Sequence, residues 1–166
     1  YLHIGGTDKI CNFIKNHYLK KIGHQIKTSV GLKSPIIIIT DNDSAGNKLY
    51  KELKEYGNKN YKTLEFSNFL HVAKNVYIIK IPLIKGMNEC SIEDLFDEEI
   101  INKTIDGKKF SPKSDFDKNK EYGKWIFATK IVQKHRDEIN FGNFKMIFDI
   151  VNSVLEHFYS EIIDKI

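Results

Sequence analysis

At 166 residues, 41% hydrophobic and 29% charged, the chain is long enough for one substantial core and has no apolar run near the roughly 20 residues of a membrane-spanning helix. Its two cysteines, Cys11 and Cys90, cannot form a disulfide framework or a four-cysteine zinc site, and they fit a reducing, cytoplasmic setting. A net charge of +4 and a pI near 8.9 permit a polyanionic partner without demanding one.

Tyr1 to Ile4 is a strand candidate. A chain that opens there, on tyrosine rather than methionine, reads as a segment of a longer protein. Gly5-Gly6 allows a tight turn, with Thr7 placed to cap a helix that carries Ile10, Phe13, Ile14, Tyr18 and Ile22 on one face and ends at Gly23. The N–H groups of Gly5-Gly6-Thr7-Asp8 either cradle a phosphate or simply make that turn.

Pro35 then introduces Ile36-Ile37-Ile38-Ile39, which reads as a strand covered on both faces, as in a parallel sheet between helix layers. Ligands of such sheets collect at the carboxyl ends of the strands, here Thr40-Asp41-Asn42-Asp43-Ser44-Ala45-Gly46. In extended backbone Asp41 and Asp43 point the same way, so their carboxylates repel unless a cation neutralises them. Oxygen donors alone favour magnesium, with manganese possible, over zinc. The competing reading is that Asp43 or Ser44 caps the helix of Ala45 to Tyr56, which carries Leu49 and Leu53.

Asn75 to Ile81 is a third strand candidate, stopped by Pro82. Strand-helix alternation up to this point predicts an α/β fold with a mostly parallel sheet flanked by helices. Past Gly86 the pattern changes. Ser91 to Phe96 reads as a short capped helix, Asp106 to Phe110 as a hairpin or turn, and Ser111 to Tyr122 as a surface loop. Helices from Tyr122 to Asp137 and from Phe144 to Ile163 close the chain. The last presents Ile147, Phe148, Val151, Leu155, Phe158 and Ile162 as a core stripe. The expected division is an α/β core over 1–98, then a loop and C-terminal helical appendage over 99–166.

Outside the paired aspartates, Glu93 and Asp94 either complete a carboxylate cluster or form an exposed, dipole-complementing first helical turn. Lys124, beside Gly123 at a helix start, has the charge to stabilise a phosphoryl transition state. The histidines are scattered without ligand spacing, and no serine or cysteine nucleophile context occurs. Metal-assisted phosphate chemistry is the class these residues match best.

The strand followed by Asp41-Asn42-Asp43-Ser44-Ala45-Gly46 resembles the DxD motif of the TOPRIM domain, the metal-binding α/β module of topoisomerases, DnaG-type primases and overcoming-lysogenization-defect nucleases. More narrowly, Gly5-Gly6-Thr7, the DNDSAG segment, Ile92-Glu93-Asp94-Leu95-Phe96, Tyr122-Gly123-Lys124 with Phe127-Ala128, and Ile139-Asn140-Phe141 with Phe144 resemble the TOPRIM-like extension of certain retron reverse transcriptases. The resemblance implies a TOPRIM-like fold and a magnesium-dependent nuclease serving as the effector of an anti-phage retron. In that reading Asp41 and Asp43 hold metal, Asp94 or Glu93 adds or orients a ligand, and Lys124 stabilises the attacking or leaving oxygen. Implied partners are RNA or DNA, the upstream reverse transcriptase domain with its retron RNA and DNA, and a second copy of the chain.

One departure stands out, because the family's first motif is a glutamate at the end of an earlier strand and no glutamate precedes Glu52. The glutamate strand is therefore expected upstream of Tyr1, and the isolated chain is expected to be weakly active or inactive. No polymerase motif occurs in it. Two other functions compete: a non-catalytic nucleic-acid-binding or oligomerisation module, and a haloacid-dehalogenase-type phosphatase. The latter usually has threonine or valine where Ser44 stands.

Overall fold

The computed structural model describes residues 6–21 and 34–163. The strand expected at Tyr1 to Ile4, the end of the first helix at Gly23 and the connection to Pro35 lie outside the described residues. The chain forms two compact units, residues 1–91 with 146–166, and residues 92–145. The division thus falls at Ser91/Ile92, and the last helix belongs with the first unit.

In the first unit, helix α1 (Thr7–Asn12) continues as a wider π-helical stretch over Phe13–Tyr18. Gly6, at φ 77°, occupies the cap position expected of Thr7, which is instead the first helical residue. Strand β1 (Ile36–Thr40) leads into α2 (Ser44–Asn60), followed by β2 (Leu64–Glu65), β3 (Leu70–Ala73) and β4 (Val76–Lys80). The strand order is β1-β4-β3-β2.

Only β1 and β4 are parallel, Ile36 lying opposite Val76 and Thr40 opposite Lys80. The β4–β3 and β3–β2 pairs are antiparallel. The sheet is therefore mixed rather than mostly parallel, and the connections explain why. After α2 the chain returns through two tight turns, at Ser67-Asn68 and Lys74-Asn75, and turns too short for a crossover can only join antiparallel neighbours. Lys74 takes the left-handed conformation, φ 55°, that the second turn requires.

Alternate residues of the sheet face different layers. Ile38, Val76 and Ile78 bury against Cys11, Ile14 and Leu19 of the first helix and Leu49 and Leu53 of α2. Tyr77 points the other way. Its hydroxyl meets Nδ1 of His157 at 2.9 Å and its ring meets Phe158 edge-on, both on the last helix, α5 (Lys145–Ile163). Two expectations are corrected here. Ile39 is 45% exposed, so the isoleucine run is not covered on both faces, and among the described residues β1 is an edge strand, paired with β4 alone. On α5 the buried stripe is Ile147, Ile150, Val154 and Phe158, while Phe148 is 63% exposed. No helix among the described residues is long and apolar enough to cross a membrane.

Two carboxylates tie α2 to its surroundings. Glu52 accepts from Cys11 Sγ and Lys15 Nζ, each at 3.1 Å, and these bonds hold its pKa below the ordinary value. Glu65 accepts from Lys54 Nζ at 2.5 Å and from the Tyr50 hydroxyl at 3.1 Å, with the same consequence. As pH falls through the ordinary carboxylate range the unfolded chain takes up these protons first, so the stabilisation present at neutral pH is lost on acidification. Solvent screening keeps the effect small. Urea midpoints are expected to fall from pH 7 to pH 3, and to fall less in the Glu52→Gln, Glu65→Gln double variant. Parallel curves would rule these two groups out.

In the second unit, a 3₁₀ turn (Ile92–Leu95) and helix α3 (Glu98–Ile101) precede a tight turn in which Asp106 and Gly107 both have positive φ. Short strands β5 (Lys109–Phe110) and β6 (Glu121–Tyr122) pair in parallel. Helix α4 (Lys124–Ile126) continues as a π-helical stretch over Phe127–Val132, short of the expected end at Asp137. Ile100, Tyr122, Phe127, Ile131 and Ile139 form the core, with Phe96 edge-on to Phe127 and Phe144.

Candidate metal centre

The junction between β1 and α2 is built by backbone pairing. Past Thr40, the Asn42 N–H donates to the Cys90 carbonyl at 2.7 Å, and the Cys90 N–H returns a bond to the Asn42 carbonyl at 3.0 Å. The Asn42 side chain adds a third tie, Nδ2 donating to the Ile81 carbonyl at 3.0 Å. Asn42 is therefore fixed, and the aspartates on either side of it are placed by a rigid stretch rather than a free loop.

Asp43, extended at φ −126° and ψ −174°, caps α2. Its Oδ1 accepts from the Gly46 N–H at 2.7 Å, and its carbonyl takes the first helical bond, from the Asn47 N–H at 2.9 Å. Gly46 makes this entry possible, since a Cβ there would lie 1.9 Å from the Asp41 carbonyl oxygen. The cap that competed with metal binding is thus present, but it occupies one carboxylate oxygen and leaves the acceptor capacity of Oδ2. Asp41 is half-buried on the strand side of Asn42.

No group of three His, Cys, Asp or Glu side chains suited to hold a metal ion occurs among the described residues. Asp41 and Asp43 by themselves fit a hard cation that keeps several waters and binds through one or two carboxylates plus substrate phosphate. Magnesium is the metal with that habit.

Glu93, Asp94 and Lys124 lie in the second unit. Glu93 is only 8% exposed, which excludes its reading as a solvated first helical turn, and it accepts from Lys124 Nζ at 2.7 Å. Glu93 and Lys124 are therefore an ion pair, with the ammonium oriented by the carboxylate. Asp94 is half-buried beside Glu93 on the same 3₁₀ turn.

The sequence reading missed what holds Asn42 and how closely α2 approaches β1. Gly46 at the third position after Asp43 was the available signal for the close approach; the bonds that hold Asn42 come from Ile81 and Cys90, distant in the chain. No protein-family model matches the chain, and no solved structure matches it at a significant level.

Proposed function

We propose that the β1–α2 junction binds Mg²⁺, with Mn²⁺ able to replace it, through Asp41 and Asp43, and that the chain is the nuclease part of a longer, TOPRIM-like retron reverse transcriptase acting in anti-phage defence in the cytoplasm. The observation that carries this reading is the pair of carboxylates flanking Asn42, whose three hydrogen bonds hold both at the end of a parallel-paired strand. A metal bound there supplies charge stabilisation to a phosphodiester and an activated water. Asp41 and the second oxygen of Asp43 supply the ligands, and Asn42 keeps them in register. Within the second unit Glu93 orients Lys124, whose ammonium has the charge expected of a transition-state stabiliser.

The test separates cap from ligand. Asn caps as well as Asp, so Asp43→Asn is expected to leave the melting temperature unchanged, whereas Asp43→Ala costs about 1 kcal/mol. Asp43→Asn and Asp41→Asn are each expected to weaken Mn²⁺ binding, followed by electron paramagnetic resonance, at least tenfold. In the longer protein, cleavage of RNA or DNA with magnesium is expected to fall at least a hundredfold in the double variant. Manganese affinity equal to wild type in both single variants would overturn the site.

A second reading, a non-catalytic module that binds nucleic acid and self-associates, draws on Phe148, an exposed aromatic on α5. It predicts a concentration-dependent dimer that Phe148→Ser abolishes in sedimentation equilibrium.

A further inference from the structure

A groove of about 430 Å³ in the first unit is lined by Asn42, Tyr50, Phe66, Ser67, Asn68 and Lys80 among others. We infer that it holds one nucleotide of a single-stranded nucleic acid, the base stacked on Phe66 and the backbone phosphate at Lys80. The inference deepens the nuclease reading and rests on it for the meaning of Asn42 in the lining, but binding is measurable without metal or cleavage.

Phe66 is 38% exposed, yet it is not loose. Its ring stacks on Phe69 at 4.4 Å and meets His157 edge-on at 4.8 Å, and its N–H donates to the Phe69 carbonyl at 2.9 Å across the Ser67-Asn68 turn. An aromatic ring held from behind and left accessible in front is a stacking platform. Stacking suits any base, because every base has a π-face. Ser67 and Asn68, both exposed in the groove lining, offer a hydroxyl and an amide that donate and accept, as base edges require.

The charges are arranged for a phosphate. Lys80 Nζ sits 5.0 Å from the centre of the Tyr50 ring and donates to Asn47 Oδ1 at 3.0 Å, which fixes where the ammonium stands. Glu65, the one carboxylate among the described lining residues, is paired with Lys54 and accepts from the Tyr50 hydroxyl. Tyr50 stays protonated to do this, its pKa pushed up to about 12 by burial and then by Glu65. The volume lies in the range of sites that enclose one small-molecule-sized group, which a nucleotide is. A duplex keeps its base faces stacked on one another, so the platform selects unpaired strands.

The experiment is fluorescence anisotropy of the full chain with a 5′-fluorescein oligonucleotide of mixed sequence in EDTA, as single-stranded DNA, single-stranded RNA and the matching duplex. Wild type is expected to bind single strands at least tenfold tighter than the duplex. Phe66→Ala is expected to weaken single-strand binding roughly tenfold and Phe66→Trp to preserve it. Lys80→Gln is expected to lower affinity and reduce the slope of log affinity against log salt by about one. Phe66→Leu, which keeps most of the apolar volume without a π-face, is expected to bind as weakly as the alanine variant.

Equal binding by wild type and Phe66→Leu, or preference for the duplex, would overturn the inference. If Phe66→Leu binds normally while Asp41→Asn abolishes cleavage, the groove assignment alone falls. If Phe66→Leu loses binding while Asp41→Asn cleaves normally, the groove assignment stands and the metal reading falls.

Discussion

Replacing Gly46 by alanine is expected to cost about 3 kcal/mol or more of folding stability, although alanine within a helix is ordinarily about 1 kcal/mol better than glycine. The sign reverses because the new methyl would lie 1.9 Å from the Asp41 carbonyl oxygen and 2.8 Å from Thr40 Oγ1. The nearer atom is backbone and cannot swing aside. To relieve the clash the first turn of α2 must move away from β1, which breaks the bond from the Gly46 N–H to Asp43 Oδ1 or pulls on the ladder between Asn42 and Cys90. For a chain of this size the loss corresponds to a melting temperature lower by roughly 6–12 °C. Because the same shift displaces Asp43, manganese affinity is expected to fall with it. A thermal melt in which Gly46→Ala equals or exceeds wild type would mean that the helix does not enter against the strand as described.

The second large effect concerns the ion pair of the other unit. Lys124→Met is expected to destabilise the protein by about 2–3 kcal/mol, since it leaves the Glu93 carboxylate buried without the ammonium that lies 2.7 Å away. The cost falls below that of breaking a fully buried pair because the lysine end is partly exposed to water. Adding Glu93→Gln removes the stranded charge, so the double variant is expected to recover about half or more of the loss. A double-mutant cycle by urea denaturation measures the coupling, and a value near zero would show that the two groups do not sense each other. The double variant also separates folding from chemistry. If it regains stability while cleavage by the longer protein stays at least tenfold down, the Glu93–Lys124 pair acts on the reaction; if cleavage recovers with stability, the pair's role is structural.

Much of the local architecture was legible in the sequence. The Asp41-Asn42-Asp43 stop after an isoleucine run, the capped helix behind it, the third strand from Asn75 and the long C-terminal helix are each dictated by residues close together in the chain: caps, glycines, prolines and apolar period. Even the cap formed by Asp43 was legible as one of two readings of that side chain, the other being the proposed metal ligand. The helix face of α5 was read one position out, with Phe148, Val151 and Leu155 on the stripe and Ile150 and Val154 left off it, because a periodic stripe has two plausible edges and only packing selects one.

The tertiary structure decided the rest. Strands β2 and β3 are short and joined by turns that lack an Asn-Gly or Asp-Gly signature, so nothing local announced them, yet they turn a mostly parallel sheet into a mixed one. The burial of Glu93 against Lys124, separated by 31 positions, and the gathering of Asn42, Tyr50, Phe66 and Lys80 around one groove depend on long-range closure. A side chain's neighbours along the chain set its backbone conformation, whereas its exposure and its charge partners are set by which distant segments pack against it. Chemistry at this site depends on the latter, so the sequence by itself determined which groups are available and the fold determined which of them meet.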